Sequence, residues 1–353
     1  MTSLRIWRHR CVRVPLPAAA LAALLAVCGC ESVSDVRAGA QNQPASAASN
    51  KLYTPWTSLS GGRLERAAAF AGNPLQPAGT YLTFLATATV AARGNDVYIV
   101  DSGRAAVFRI DPYTNSVVVM APQPAPPAWA APDYPQRLPS DRGTKLYVAN
   151  DRSLYVLDQG RRRVLQFSRE GHLIREYQDP GMLVRPVGFT VDERRGMVLI
   201  VDAQSHNVVA FHSGGRVPFV IVPHENVDRD RVPLDLAAIA SGAEGIYLVD
   251  RRKAQVLLMS DDGIVLDSFG QGILKQPWTV AVDRYRRVYV GDRLDNSIKV
   301  FSGGVQLAQI KGSDLRPGMQ QISDLWVDED MLYVADGATG RVDILRLSLP
   351  GKN

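Results

Sequence analysis

Short runs of apolar residues that end in an aspartate recur along this chain of 353 residues. Residues 246–250 show the pattern clearly, because four residues with a preference for β-strands lead directly into the aspartate. Equivalent runs end at Asp101, Asp158, Asp202, Asp250, Asp292 and Asp336, with spacings of 57, 44, 48, 42 and 44 residues. A β-rich repeat of this length predicts the blades of a propeller rather than the turns of a helical solenoid.

The fifth copy can be divided completely into four strands. Residues 279–282 form the inner strand, 287–292 the second, 297–301 the third and 305–310 the outer strand. Glycines at the hairpin turns and prolines just before the inner strands agree with this division. Six copies therefore predict an all-β fold, a six-bladed propeller of four-stranded antiparallel blades.

The Val-Asp turn at residues 282–283 and the Tyr-Val-x-Asp strand at 289–292 resemble the NHL repeat. The resemblance extends over about residues 61–348 and implies that 51–353 form an NHL-type propeller. NHL propellers serve mainly as binding platforms and less often as enzymes, so the resemblance informs the fold more than the function.

Closure of the ring is predicted from the strand count. The sixth copy ends after its third strand, at residues 342–347, and therefore lacks an outer strand. We expect residues 63–71, which precede the first copy, to pair with that strand. Such pairing closes the propeller with an N-terminal outer strand and removes two open sheet edges.

The first 29 residues have the organisation of a signal peptide. Four arginines precede an apolar segment of 14 residues, which is too short to cross a membrane comfortably. Residues 27–30, Val-Cys-Gly-Cys, resemble a bacterial lipobox. The resemblance implies that the chain is cut before Cys30, which becomes the mature N-terminus and is acylated with chains such as palmitate that anchor it in a membrane. In lipoproteins of this type an aspartate after the acylated cysteine often signals retention in the inner membrane. Residue 31 is Glu instead, which favours the outer membrane, facing the periplasm. The alternative is an ordinary secretory signal.

Residues 30–50 are rich in Ala, Ser and Gln and predict a flexible segment, here called the tether. Removal of residues 1–29 lowers the net charge from +5 to +1, since 36 bases then face 35 acids. We therefore predict no nucleic-acid partner. Cys30 becomes the only cysteine, which excludes a disulfide within one molecule and a thiolate metal site. No metal or cofactor is predicted.

Loops after the second strand of each blade carry positive charge, which predicts one basic face on a nearly neutral protein. The candidate binding residues are Arg104, Arg161, Arg162, Arg163, Arg251, Arg252, Lys253, Arg293 and Arg341. An anionic polysaccharide or an acidic patch on another envelope protein would suit this face. Alternatively, the arginines pair with the neighbouring repeat aspartates.

A proline-rich insertion at residues 121–140 accounts for the longest repeat spacing. Its prolines favour an extended conformation, and its position places it on the same face as the basic loops. Trp129 and Tyr134 are its large residues. The insertion is predicted to act as a lid or docking peptide, or else to pack its aromatic residues on the propeller.

Six equivalent carboxylates could surround a central ion, but the second strand of a blade lies away from the propeller axis. We therefore expect the repeat aspartates to accept hydrogen bonds from loop amides.

Catalytic signals in the sequence are weak. Four histidines remain after processing, and none has metal-ligand spacing to another: His172, His206, His212 and His224. Amidating lyases with a similar propeller bind zinc through several histidines near the axis, and no matching set appears in this sequence. Asn150, Asp235 and Asp324 are loose candidates for the oxygen ligands of a lactonase-like site. The sequence favours a non-catalytic platform in envelope assembly or export. The alternative is a metal-dependent lactonase- or lyase-like enzyme with its site at the channel mouth.

Overall fold

Burial decreases from the centre of each blade towards its outer edge. In the second strand of blade four, Ile246–Asp250, all five residues are buried, whereas the outer strand Val265–Phe269 buries only its last residue. A strand buried on both sides needs apolar residues at every position, which explains the continuous apolar runs of the sequence. The computed structural model describes residues 52–69, 74–121, 138–214, 217–224, 234–315 and 318–348.

The described strands form six sheets, one for each blade. Blade one contains β4 (Thr87–Arg93), β5 (Asp96–Asp101), β6 (Ala106–Asp111) and β7 (Ser116–Val119), extended by β2 (Gly61–Leu64) and β3 (Tyr81–Thr83). Blade two contains β8 (Leu146–Val148), β9 (Leu154–Asp158), β10 (Arg163–Phe167) and β11 (Leu173–Gln178). Blade three contains β12 (Pro186–Asp192), β13 (Met197–Asp202), β14 (Asn207–His212) and β15 (Phe219–Ile221).

Blade four contains β16 (Leu236–Ser241), β17 (Ile246–Asp250), β18 (Gln255–Met259) and β19 (Val265–Phe269). Blade five contains β20 (Pro277–Val282), β21 (Val288–Asp292), β22 (Ser297–Ser302) and β23 (Val305–Lys311), followed by a 3-10 helix at Gly312–Asp314. Blade six contains β24 (Ile322–Asp328), β25 (Met331–Asp336), β26 (Arg341–Leu347) and β1 (Tyr53–Leu59). The predicted all-β, six-bladed propeller is confirmed, and none of the described helical residues forms a helix that could span a membrane.

The predicted closure of the ring by an N-terminal outer strand is confirmed. The prediction that residues 63–71 form this strand was wrong. The closing strand is β1, which pairs antiparallel with β26 from Tyr53 opposite Leu347 to Leu59 opposite Val342. Pro55 lies at an irregularity in this pairing, where a missing amide donor is tolerated. Arg63 and Leu64 instead lie in β2, which pairs parallel with β7 and covers the outer edge of blade one.

Five of the six inner strands carry an irregularity in register after their first residue, and it determines which side chains reach the axis. The residue after the irregularity faces the position just before the repeat aspartate, as Thr279 faces Gly291. In blade two, the Lys145 carbonyl accepts the Leu157 amide at 2.9 Å, so Lys145 occupies the equivalent place. The six equivalent residues are Thr89, Lys145, Gly188, Ala238, Thr279 and Asp324.

Candidate functional site

The repeat aspartates connect two loops on one face of the propeller, here called the top face. Asp202 is fully buried and accepts the amides of Val184 and Arg185 at 2.7 and 2.6 Å, just before the inner strand. It also accepts the amides of Gln204 and Ser205, just after the second strand, at 3.0 and 2.8 Å. Amides from both loops are likewise accepted by Asp101, Asp250, Asp292 and Asp336. These carboxylates hold the blades' loops.

Asp158 in blade two differs, because its only described amide donor is Arg161, at 3.1 Å. Its other oxygen faces the guanidinium of Arg163 at 3.3 Å. Arg163 lies in β10, is only 2% exposed and also pairs with Glu176 at 2.7 Å. Arg341, the first residue of β26, is similarly buried beside Asp343. Arg163 and Arg341 therefore belong to blade interiors, whereas the sequence pattern assigned them to a basic surface.

Blades one and two retain little free positive charge on the top face. Arg104 lies 3.8 Å from the carboxylate of Asp101, and its Nε donates to the Thr83 carbonyl at 2.9 Å. Arg161 lies 3.6 Å from Asp158. Arg162 donates to the carbonyl of Leu183 at 3.5 Å. Pairing with the blade's own groups therefore accounts for much of the charge predicted here.

Positive side chains are concentrated on the top face of blades four and five. This basic patch consists of Arg251, Arg252, Lys253, Lys275 and Arg293, two of which contact the half-buried Trp278. The guanidinium carbon of Arg293 lies 3.4 Å from the Trp278 ring centroid, and that of Arg251 lies 5.4 Å away. Arg251 also pairs with Asp235 at 2.7 Å. The ring thus holds two guanidinium groups in fixed positions.

Arg293 is partly buried and lies near both a carboxylate and a second arginine. Burial lowers the pKa of Arg293 to about 10; nearby Asp324 opposes the shift and Arg251 adds to it. Its Nε donates to the carbonyl of Ile322 at 3.2 Å. The buried Nε of Arg251 has no hydrogen-bond partner among the described residues. An anion at this patch could accept charge-assisted hydrogen bonds from the exposed side chains of Arg252, Lys253 and Lys275.

The sequence pattern missed Trp278 and Lys275. Trp278 is the bulge residue of its inner strand, directly after Pro277. The equivalent residues in the other blades with this irregularity are Ala88, Val187, Ala237 and Ser323. A superposition of the repeats would therefore have singled out Trp278, since it is the only large residue of this set. Lys275 lies in the loop after a fourth strand, which reaches the same face as the loops after second strands.

The propeller axis contains a cavity of about 390 Å³. Small residues of blades three to five line one wall, including Gly188, Ala238 and Ala281. The opposite wall carries the ion pair between Lys145 and Asp324, whose atoms Nζ and Oδ1 lie 3.0 Å apart. Hydroxyl groups of Thr279, at 2.9 Å, and of Thr89 also donate to Asp324. One ion pair thus joins blades two and six across the axis.

Aromatic and charged residues surround the other end of this cavity. Tyr147 and Trp326 contact edge to face, with ring centroids 5.0 Å apart. The Tyr147 hydroxyl donates to Glu193 at 3.1 Å, and burial, together with this carboxylate, raises its pKa far above the ordinary value. Arg93 pairs with Asp328 at 2.7 Å. Most charges at this end are therefore already paired within the protein.

The three loose lactonase candidates do not converge. Asn150 lies in the turn between β8 and β9, on the face opposite the loop that holds Asp235. Asp235 pairs with Arg251, and Asp324 pairs with Lys145. Within the described ranges, no three His, Cys, Asp or Glu side chains come close enough to hold a metal ion.

The four histidines lie outside the channel lining as well. Their positions are the β10–β11 turn for His172, the loop after β13 for His206, the end of β14 for His212 and the residues after β15 for His224. Residues 122–137 of the insertion, which include Trp129 and Tyr134, lie outside the described residues, and so does Cys30.

Solved structures with the same fold are numerous, although their sequences differ strongly from this one. A protein of unknown function from Bacteroides thetaiotaomicron superposes with a TM-score of 0.56 at 16% identity, over 82% of this chain and 76% of that one. A streptogramin B lyase superposes with a TM-score of 0.53 at 10% identity, over 75% of this chain and 95% of that one.

A third similar structure is a catalytically inactive histidine-to-alanine variant of virginiamycin B lyase from Staphylococcus aureus, solved with quinupristin. It has a TM-score of 0.51 at 9% identity, over 74% of this chain and 95% of that one. No protein-family model and no curated protein matches the chain. At these identities the similarity shows the six-bladed propeller fold alone.

Proposed function

We propose that this protein is an outer-membrane lipoprotein of the bacterial envelope, facing the periplasm, whose propeller is a non-catalytic binding platform for envelope assembly or export. The observation that carries this proposal is the basic patch around Trp278. Within the described residues, Asp235 is the only carboxylate within ion-pair distance of its five cationic side chains. The ligand is an anionic polysaccharide or an acidic surface of another envelope protein, and charge complementarity draws it to the top face.

The proposed anchor is the acylated Cys30. The tether that follows it, residues 30–50, lies outside the described residues, and the sequence predicts it to be a flexible link to the propeller. Replacing Cys30 by Ser should move the protein from the membrane fraction to the soluble periplasmic fraction and abolish incorporation of labelled palmitate. Continued labelling with palmitate would contradict the proposed anchor.

Binding to a defined polyanion tests the platform. Polygalacturonate is a suitable acidic probe, and dextran is the neutral control. Charge removal by Arg251→Gln, Arg252→Gln and Lys253→Gln together should weaken polygalacturonate binding by about tenfold or more and reduce its dependence on salt. Unchanged binding by this triple variant would contradict the proposal.

Arginines on the opposite face provide the matched control. The side chains of Arg194 and Arg286 are 56% and 63% exposed, and both lie in turns between a first and a second strand. Their replacement by Gln removes positive charge without touching the basic patch. If this control weakens polygalacturonate binding as much as the triple variant does, net charge rather than the patch is responsible.

A lyase- or lactonase-like enzyme is the second candidate, favoured by the axial cavity of about 390 Å³, which suits a small ligand. The similar virginiamycin B lyase variant is inactive after loss of a histidine, and no described histidine lines this cavity. A stoichiometric divalent metal in the purified protein, released by Asp324→Ala, would favour the enzyme. The platform predicts no such metal.

A further inference from the structure

A second cavity, of about 220 Å³, lies between blades one and two, away from both the axis and the basic patch. Three arginines line it, and each comes from a different part of the fold. Arg66 follows β2, Arg109 lies in β6, and Arg169 lies in the turn between β10 and β11. Three arginines from separate segments thus border one small space.

A buried carboxylate beneath the cavity fixes two of these arginines. Asp96 is only 6% exposed and accepts two hydrogen bonds from Arg169, at 2.7 and 2.9 Å. Arg109 lies 3.8 Å from the same carboxylate and donates to the Arg169 carbonyl at 3.3 Å. Arg152 approaches Asp96 from the outside at 3.6 Å. The guanidinium groups of Arg109 and Arg169 are therefore positioned before any ligand arrives.

The charge of this cavity is not balanced within the protein. Its lining contains Arg66, Arg109, Arg169 and a single acid, Glu170, so the lining carries a net charge of +2. Asp96, which pairs with Arg169, and the nearby Arg152 add one charge of each sign, so the sum stays at +2. Among the described residues Arg66 forms no ion pair. A ligand with two negative charges would therefore neutralise the lining of the cavity.

The rest of the lining is apolar. Val118, Val119, Met120 and Ala121, at the end of the outer strand of blade one, form one wall. Tyr98, fully buried beside Arg109, adds no charge, because burial and the nearby Asp96 carboxylate raise the pKa of its hydroxyl. The site combines fixed cations on one side with an apolar surface on the other, as recognition of a charged group on an organic molecule requires.

We propose that this cavity binds a phosphomonoester group. A phosphomonoester carries a charge of about −1.5 to −2 at pH 7 and three acceptor oxygens, which match the net charge of the lining and its arginine donors. A carboxylate supplies a single charge and two oxygens, so it satisfies the site less completely. The apolar wall receives the organic part of the ligand. This inference is independent of the proposed function, because it uses none of the residues of the basic patch.

Calorimetric titration of the full protein tests the proposal with inorganic phosphate, glucose 1-phosphate and glucuronate. Glucose 1-phosphate should bind in saturable fashion and more tightly than the monoanion glucuronate. Arg66→Gln removes a charge from an exposed side chain and should weaken glucose 1-phosphate binding by about tenfold, the expected effect of one charge-assisted contact. Arg169→Gln should weaken it further, since it also releases Asp96.

Arg346→Gln is the matched control, because the side chain of Arg346 is 57% exposed on β26 of blade six, away from the cavity. This variant should bind glucose 1-phosphate as the original protein does. Absence of saturable binding to the original protein, or equal binding by Arg66→Gln and Arg346→Gln, would overturn the proposal. If Arg169→Gln unfolds the protein, Arg66→Gln decides the matter alone.

Vesicles distinguish a soluble from a lipid-borne phosphomonoester. The two preparations are phosphatidylcholine alone and phosphatidylcholine with phosphatidate, mixed with protein lacking residues 1–30 so that no acyl anchor contributes. Phosphatidate-dependent sedimentation that Arg66→Gln abolishes assigns the site to a lipid headgroup. Binding of glucose 1-phosphate without sedimentation assigns it to a soluble or glycan phosphate. Failure of both overturns the proposal.

Discussion

The repeat aspartates should dominate the stability of the propeller, and Asp202 offers the clearest test. Asp202→Asn preserves the shape of the side chain but replaces one acceptor oxygen with an amide group that can only donate. Each oxygen of Asp202 accepts two backbone amides, at 2.6 to 3.0 Å. Whichever way the asparagine turns, two amides therefore lose their acceptor and face a donor.

The expected cost follows from the hydrogen bonds that are lost. A bond to a charged group contributes about 1.5–3 kcal/mol, and neighbouring bonds are not fully additive. Asp202→Asn should therefore lower the free energy of unfolding by about 3–5 kcal/mol. Asp158→Asn is the matched control, because Asp158 accepts a single described amide, from Arg161, which an asparagine oxygen can keep. Its expected cost is about 1.5–3 kcal/mol, because the amide group that replaces the second oxygen faces the guanidinium of the buried Arg163, which keeps its pairing with Glu176.

Urea titration followed by tryptophan fluorescence and by circular dichroism measures both variants under the same conditions. Coincidence of the two signals verifies that a single transition is compared. The reasoning predicts that Asp202→Asn unfolds at clearly lower urea than Asp158→Asn. Equal midpoints for the two variants would show that the amide bonds of Asp202 do not hold the loops as described.

Three further perturbations follow from the described contacts. Deletion of residues 53–59 should leave β26 as an open edge and abolish cooperative thermal unfolding, whereas deletion of the tether should leave the melting temperature unchanged. Burial raises the pKa of Asp292, but backbone amides and Lys299 outweigh it and lower the pKa below the ordinary value. Asp292 therefore adds stability that is complete above about pH 4 and is lost as the pH falls through its folded pKa. Lys299→Met should lower the free energy of unfolding at neutral pH by about 3 kcal/mol and reduce the further loss of stability in acid. An unchanged dependence of stability on acid pH would contradict this role of Lys299. In the channel, Lys145→Met and Asp324→Asn should each destabilise, with a coupling energy of about 1 kcal/mol or more in a double-mutant cycle, while strict additivity would refute the ion pair.

The blades could be predicted from the sequence because the apolar character of each strand depends on how deeply the strand is buried. A second strand lies between two neighbouring blades, so it must be apolar throughout, and its closing aspartate marks the loop. The closing strand was harder to locate. Residues 53–59 include Pro55 and several polar residues, because β1 has one neighbouring strand and a mostly exposed surface. An edge strand needs little apolar character, so its sequence carries a weak signal.

The candidate site depended on long-range pairing that local patterns do not reveal. Lys145 and Asp324 are 179 positions apart and meet only because both occupy the axial position of their blades. Arg163 and Arg341 come at the end of the same kind of polar loop that contains Arg251, and the sequence alone did not distinguish them from it. What separates them is register: Arg163 and Arg341 pair directly opposite Asp158 and Asp336 as strand residues, whereas Arg251 remains in the loop.

Departures from sixfold symmetry are where we expect this propeller to bind a ligand. Features that recur in most blades, such as the repeat aspartates and the inner-strand irregularity, are the ones needed to form a blade. Residues that occur in one blade only are not required by that construction. Trp278 is the single large residue at its bulge position, and Lys145 with Asp324 supply the only charged side chains among the six axial positions. The cavity between blades one and two likewise depends on Arg66, from β2, a strand that no other described blade possesses. Because a ligand that binds one place on a nearly symmetric ring must be distinguished by the asymmetric residues, substitutions of Trp278 and Arg66 should alter binding more than folding, whereas the ion pair of Lys145 and Asp324 also supports the fold.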